Sequence, residues 1–277
     1  MFRYLLLSLA FSTFVGSLHG QKWEKISLID VNGVFINATS ELPNSNDSDW
    51  INGRYGVANL IDANYETAWV EGVDGSGVGQ SIFLSFKPGC RVLNIVNGYG
   101  KSTLAFQQNG RIKTLKCTYY IGISPEGWVS DAGYTFLAKP LPRYSLFDLT
   151  NSDSLQHFSI IYGQGKIDEF IDWLENDYTN EFSEPIGIVE TFVKLEITEV
   201  YQGSKYDDTC ISEIFFGNSF VPDYRGKVHS KVDRVYVDIN NESRILIDTP
   251  MNQGVTIVEN AESIFQLLET TPDNRWA

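Results

Sequence analysis

Asn59-Leu60-Ile61-Asp62-Ala63-Asn64-Tyr65-Glu66-Thr67-Ala68-Trp69-Val70-Glu71-Gly72 sets a carboxylate, an amide and a hydroxyl (Asp62, Asn64 and Thr67) at close spacing beside a tryptophan. All three are hard oxygen donors. A tight loop would add backbone carbonyls, and the set suits Ca²⁺, which takes roughly six to eight oxygens. The same residue types are ordinary turn formers, so the competing reading is that they hydrogen-bond to one another and to loop amides. The EF-hand pattern, with its regular Asp/Asn spacing and terminal Glu, is not present. The stretch reads as a loop that binds rather than one that catalyses.

Strand signals surround it. Ser81 to Phe86 alternates, Val92 to Val96 is apolar and β-branched, and Thr114 to Ile123 repeats at period two through Leu115, Cys117, Tyr119 and Ile121. Phe192 to Val200 alternates apolar with polar, as expected of an antiparallel sheet with one wet face. Glycine-rich breaks at residues 72–79 and 97–100 separate these runs. The expected fold is all-β, a sandwich or jelly roll. Lys166 to Phe182 departs from this, with Ile167, Phe170, Ile171 and Leu174 at helical spacing among acids, and predicts an amphipathic helix forming a solvated cap over one end. The sandwich pattern ends near residues 218–223. Beyond it, residues 224–277 carry further strand signals, at 232–239, 243–248 and 255–258, and predict a small β-rich appendage.

Arg3 followed by an uncharged run from Tyr4 to Val15, and then the small residues Gly16, Ser17 and Gly20, reads as a signal peptide over residues 1–20. No later run is long and apolar enough for a membrane helix. The expected location is secreted, periplasmic or at the cell surface. A net charge of −14 with no basic cluster argues against nucleic acid as a partner. Cys90, Cys117 and Cys210 are too widely spaced for a zinc knuckle or a redox pair; export permits one disulfide, whose pairing the sequence leaves open.

A second polar island, Gly203-Ser204-Lys205-Tyr206-Asp207-Asp208-Thr209-Cys210-Ile211-Ser212-Glu213-Ile214, follows the strand at 192–200. The opening motif together with Ile211-Ser212-Glu213-Ile214 resembles the discoidin (coagulation factor V/VIII C-type) galactose-binding-like domain. With Ala68 to Gly72, Asn97-Gly98-Tyr99, Lys101 and Asn109 to Lys113, the chain is more narrowly similar to the NADase-type glycan-binding domain found in exported bacterial proteins. The similarity covers residues 30–219. It implies a jelly-roll β-sandwich that binds carbohydrate through loops at one end, with a structural Ca²⁺ held by Asp62, Asn64, Thr67 and Glu213. Ala63 stands where the family usually has glycine, which puts the loop's shape in question.

Trp69 reads as core beside this motif. The glycan-binding candidates are Glu71, Asn97, Tyr99, Lys101, Asn109, Arg111, Tyr206 and Asp207, since sugar hydroxyls need paired donors and acceptors. No Ser-His-Asp arrangement, HExxH or phosphate-binding glycine loop appears, and His19, His157 and His229 offer little. A carboxylate pair such as Glu71 with Asp208 arises readily by chance among 35 acids. The expectation is a non-catalytic, lectin-like protein for a glycan or glycoconjugate. The alternative is an adhesin or interaction scaffold for a host or envelope protein.

Overall fold

The structure is a computed structural model that describes residues 22–43, 53–130 and 133–217, and three further strands. The expected signal peptide, the junction at residues 218–223 and residues 261–268 of the expected appendage lie outside the described residues. The strands in chain order are β1 (Glu24–Val31), β2 (Val34–Ala38), β3 (Trp69–Val70), β4 (Ser81–Ser85), β5 (Val92–Asn97), β6 (Gly110–Pro125), β7 (Val129–Ser130), β8 (Gly133–Asp148), β9 (Leu155–Ser159), β10 (Ile186–Tyr201) and β11 (Thr209–Gly217). The helices are α1 (Thr103–Gln108) and α2 (Gln164–Glu181). Three more strands, β12 (Arg234–Asp238), β13 (Arg244–Asp248) and β14 (Thr256–Glu259), form a separate antiparallel sheet where the appendage was expected.

The fold is a β-sandwich, the class expected from the sequence. Antiparallel pairing runs through β8, β1, β2, β4, β10 and β6, and β8 pairs with β6 as well, so this ladder closes on itself. Strands β5, β9, β3 and β11 make the other layer. The layers join where β11 runs parallel to the start of β6, with Thr209 opposite Gly110 and Cys210 opposite Arg111.

Alternation divides the side chains between two faces. Along β6, Leu115, Cys117, Tyr119, Ile121 and Ile123 enter the main core with Trp69, Leu84, Leu93, Leu195 and Ile214. Tyr120 points the other way, into a smaller cluster with Ile26, Leu28, Phe136 and Phe192, where it stacks on Phe192 at 5.6 Å. Trp69 is wholly buried, as expected, and its indole N–H donates to Ser40 O at 3.1 Å.

Helix α2 is more than a solvated cap. Ile167, Phe170, Leu174 and Tyr178 are buried in the main core, and Asp168, Glu169 and Asp172 stay exposed. Lys139 on β8 fixes it: the ammonium is buried, 2.7 Å from Asp177, and lies 4.6 Å and 5.3 Å from the Trp23 and Trp173 ring centres. Lys139 sits opposite Ile121, so α2 packs about 36 Å along β6 from Gly110. That leaves the other end of the sandwich to the loops.

Cys90, Cys117 and Cys210 are all buried and none is in a disulfide. Burial pushes the Cys117 thiol up to about 12, so it stays protonated and inert.

Candidate functional site: a loop cluster at one end of the sandwich

Register brings four loops together. Tyr201 at the end of β10 pairs with Arg111, Asp148 at the end of β8 pairs with Thr114, and Gly98 bridges to Ile211. Residues 71–80, 98–109, 149–154 and 202–208 therefore all emerge at the Gly110 end. An open cleft of about 690 Å³ lies between the last three of these, lined by Thr103, Phe106 and Gln107 of α1, Arg111, residues 151–153, and Gln202 with Ser204.

Arg111 forms its floor. It is 7% exposed and donates to neutral oxygens on three loops: Nε to Asn151 Oδ1 (2.8 Å), Nη1 to Phe106 O (2.9 Å) and Asn109 O (2.6 Å), and Nη2 to Gln202 O (3.3 Å). Its guanidinium also stacks 5.0 Å from the Phe106 ring centre. Burial lowers its pKa from the usual value. One side chain thus ties three loops and presents a desolvated cation to the cleft.

The other sequence-predicted glycan-binding residues separate into four groups. Asn109 caps α1, its amide donating to Ala105 O at 2.8 Å, and it helps position Arg111 through its carbonyl. Lys101, Tyr206 and Asp207 are exposed near the rim; Lys205 lies 4.8 Å from the Tyr206 ring centre, and the 204–206 backbone donates to Gln107 and Gln108 carbonyls of α1. Tyr99 is half-buried against Tyr55, Ala68, Val70 and Cys210.

Glu71 and Asn97 are fully buried and present no atom to a ligand. Asn97 is taken up by the Ile112 backbone, donating to its carbonyl at 2.7 Å and accepting from its amide at 3.0 Å. Glu71 accepts from the Val73 amide at 2.8 Å and lies under Gly77, where a Cβ would fall 2.6 Å from its Cγ. Burial first, and Asp208 to a lesser degree, raise its pKa. Glu71 and Asp208 are thus close, yet with Glu71 enclosed they cannot flank a glycosidic bond in this conformation.

The Asp62 loop is compact and half-buried. Asp62 Oδ1 accepts from the Asn64 amide (2.8 Å), Asn64 Oδ1 accepts from the Glu66 amide (3.0 Å), and Thr67 Oγ1 lies 2.6 Å from both Asp62 Oδ2 and Asn64 O. A hydroxyl has one proton and can satisfy only one of those two oxygens. Three oxygens gathered so closely are a donor set that a hard cation would fit. Glu213 is buried on the same side: it pairs with Val96, whose side chain packs on Ala63 and Tyr65. Ala63 itself takes the left-handed conformation, φ +57, so the loop keeps the bend glycine would give.

Sequence reading missed Thr103, Phe106, Gln107, Asn151, Ser152, Asp153, Gln202 and Ser204 as cleft residues. The run Thr150 to Ser154 carries a turn signal in sequence, but its convergence on Arg111 depends on strand order.

The family model of the NAD glycohydrolase translocation F5/8 type C domain matches residues 32–124 and 148–217, more than half of the chain. Among solved structures, the chain is similar to a mutant of the arabinofuranosyltransferase AftD from Mycobacteria, at 14% identity and TM-score 0.38. That match covers 72% of this chain but 12% of the other. It is also similar to an F5/8 type C domain from Bacteroides fragilis, at 12% identity, TM-score 0.34, and 70% and 95% coverage. A third is the pair of CBM32 domains of ZmpB from Clostridium perfringens, solved with GalNAc, at 10% identity, TM-score 0.35, and 70% and 39% coverage. A search of curated proteins found no match.

Proposed function

Because the chain belongs to the NAD glycohydrolase translocation F5/8 type C domain family, a discoidin-type group whose members commonly bind carbohydrate, we propose that it is an exported bacterial, non-catalytic protein that binds a glycan in the Arg111 cleft. The observation that carries this reading is the cleft itself. It is open, of a size suited to one or two sugar rings, and walled by one aromatic ring with side chains that supply both donors and acceptors. Gln107, Asn151, Gln202, Ser152, Ser204 and Thr103 offer amides and hydroxyls, and Asp153 offers a carboxylate, the mixture that sugar hydroxyls require.

Asp62, Asn64, Thr67 and Glu213 would hold a structural Ca²⁺ beside this end. The ion would neutralise their charge and brace the loop, without contacting the ligand.

Screening the protein without residues 1–20 on a glycan array, followed by calorimetry, tests the reading. Binding to at least one sugar should fall at least tenfold in Gln202→Ala and Phe106→Ala with melting temperature little changed. Binding that survives both substitutions would move the site elsewhere. Silence across the array would reject the reading.

A further inference from the structure

Two cationic side chains are buried among the described residues, Arg111 and Lys139, and they are treated differently. Lys139 has a carboxylate, Asp177, at 2.7 Å. Arg111 forms no ion pair among the described residues and is held by neutral oxygens alone. Carbonyl dipoles orient a guanidinium but leave its charge, and a charge taken from water without a counter-ion is costly. Of its five N–H groups, the Nε–H, both on Nη1 and one on Nη2 are used, which leaves an Nη2 N–H at the cleft floor. A single charged N–H there can donate one short, charge-assisted hydrogen bond to a carboxylate oxygen.

We infer that the ligand brings the missing anion: the cleft takes a sugar bearing a single carboxylate, of the uronate or sialate class, with that carboxylate on Arg111. This rests on the glycan-binding reading above and narrows it. The cleft is far larger than an inorganic anion needs, and Phe106 gives it an apolar wall that such an ion would not use. A polysulfated chain is disfavoured by the net charge of −14 and by Asp153 in the cleft, which would repel additional negative groups. Asp153 is placed to accept from sugar hydroxyls while limiting the ligand to one charge.

Calorimetry with matched sugars tests this: galactose against galacturonate, lactose against sialyllactose, a 6-sulfated galactose, and inorganic phosphate. A carboxylated sugar should bind at least tenfold more tightly than its neutral partner. That advantage should shrink several-fold between 50 and 500 mM NaCl and grow in Asp153→Asn. Arg111→Lys, folded by its melting curve, should lose most of the preference while retaining residual neutral-sugar binding. Equal affinity for neutral and carboxylated partners would overturn the inference and leave the glycan reading standing. Equal or tighter binding of the sulfated sugar or of phosphate would also overturn it, pointing to a general anion site. If no sugar on the array or in this panel binds, both readings fail.

Discussion

Ala63 holds φ +57, a conformation that costs a side-chain-bearing residue about 1–2 kcal/mol, and it does so while buried in the Asp62 loop. A β-branched side chain tolerates that region poorly, so Ala63→Val should destabilise by at least about 2 kcal/mol in urea unfolding. The strain is kept where Asp62, Asn64 and Thr67 converge, which is the place to look for calcium. Saturating Ca²⁺ should raise the melting temperature, by an amount equivalent to about 2.7 kcal/mol at a hundredfold excess over Kd, and Asp62→Asn should abolish the rise. A melt indifferent to calcium and to chelator would remove the ion from the account. Elsewhere, burial raises the Glu190 carboxyl from 4.5 to about 7. The folded state then keeps a proton that the unfolded chain has released. Its contribution to stability is full below pH 4.5 and is lost as pH rises through about 7. Glu190→Gln should therefore be more stable than the parent at pH 8 by about 1 kcal/mol, with the gap closing at pH 4.

At the scale of elements, α2 is joined to the sandwich by apolar burial and by one enclosed ion pair. Phe170→Ala should cost about 3–5 kcal/mol, because it empties a core position. Asp177→Ala should cost about 2 kcal/mol, less than a fully buried pair would, since Asp177 keeps 26% exposure. Neither change should alter glycan affinity, because the helix lies far along β6 from the cleft. The alternating strands β4, β6 and β10 were legible because each presents one apolar face at period two. Strand β8 was not, since Pro140 and Pro142 interrupt its pattern and prolines demote a run as a strand. The sheet accommodates them at a register shift: Tyr120 pairs with Pro140 and Thr118 with Tyr144, so Pro142 falls where the ladder is broken. The Arg143 amide there donates instead to the Tyr162 hydroxyl at 2.9 Å.

For the whole molecule, the motifs in sequence converge on the loop end of the sandwich, but two of the residues expected on its surface are buried. Glu71 and Asn97 belong to conspicuous motifs because loops are built on them, and for that reason they are buried. Arg111, from the same motifs, does reach the cleft. Its neighbours come from loops separated by as many as 100 positions, and only the meeting of β6, β8, β10 and β11 at one end brings them together. Backbone assignment followed by titration with a glycan identified on the array tests this most directly. The account predicts amide shift changes concentrated at residues 103–111, 151–154 and 202–206, with the strands at the α2 end silent. Changes centred on the α2 end or on an outer sheet face, with the cleft silent, would contradict it.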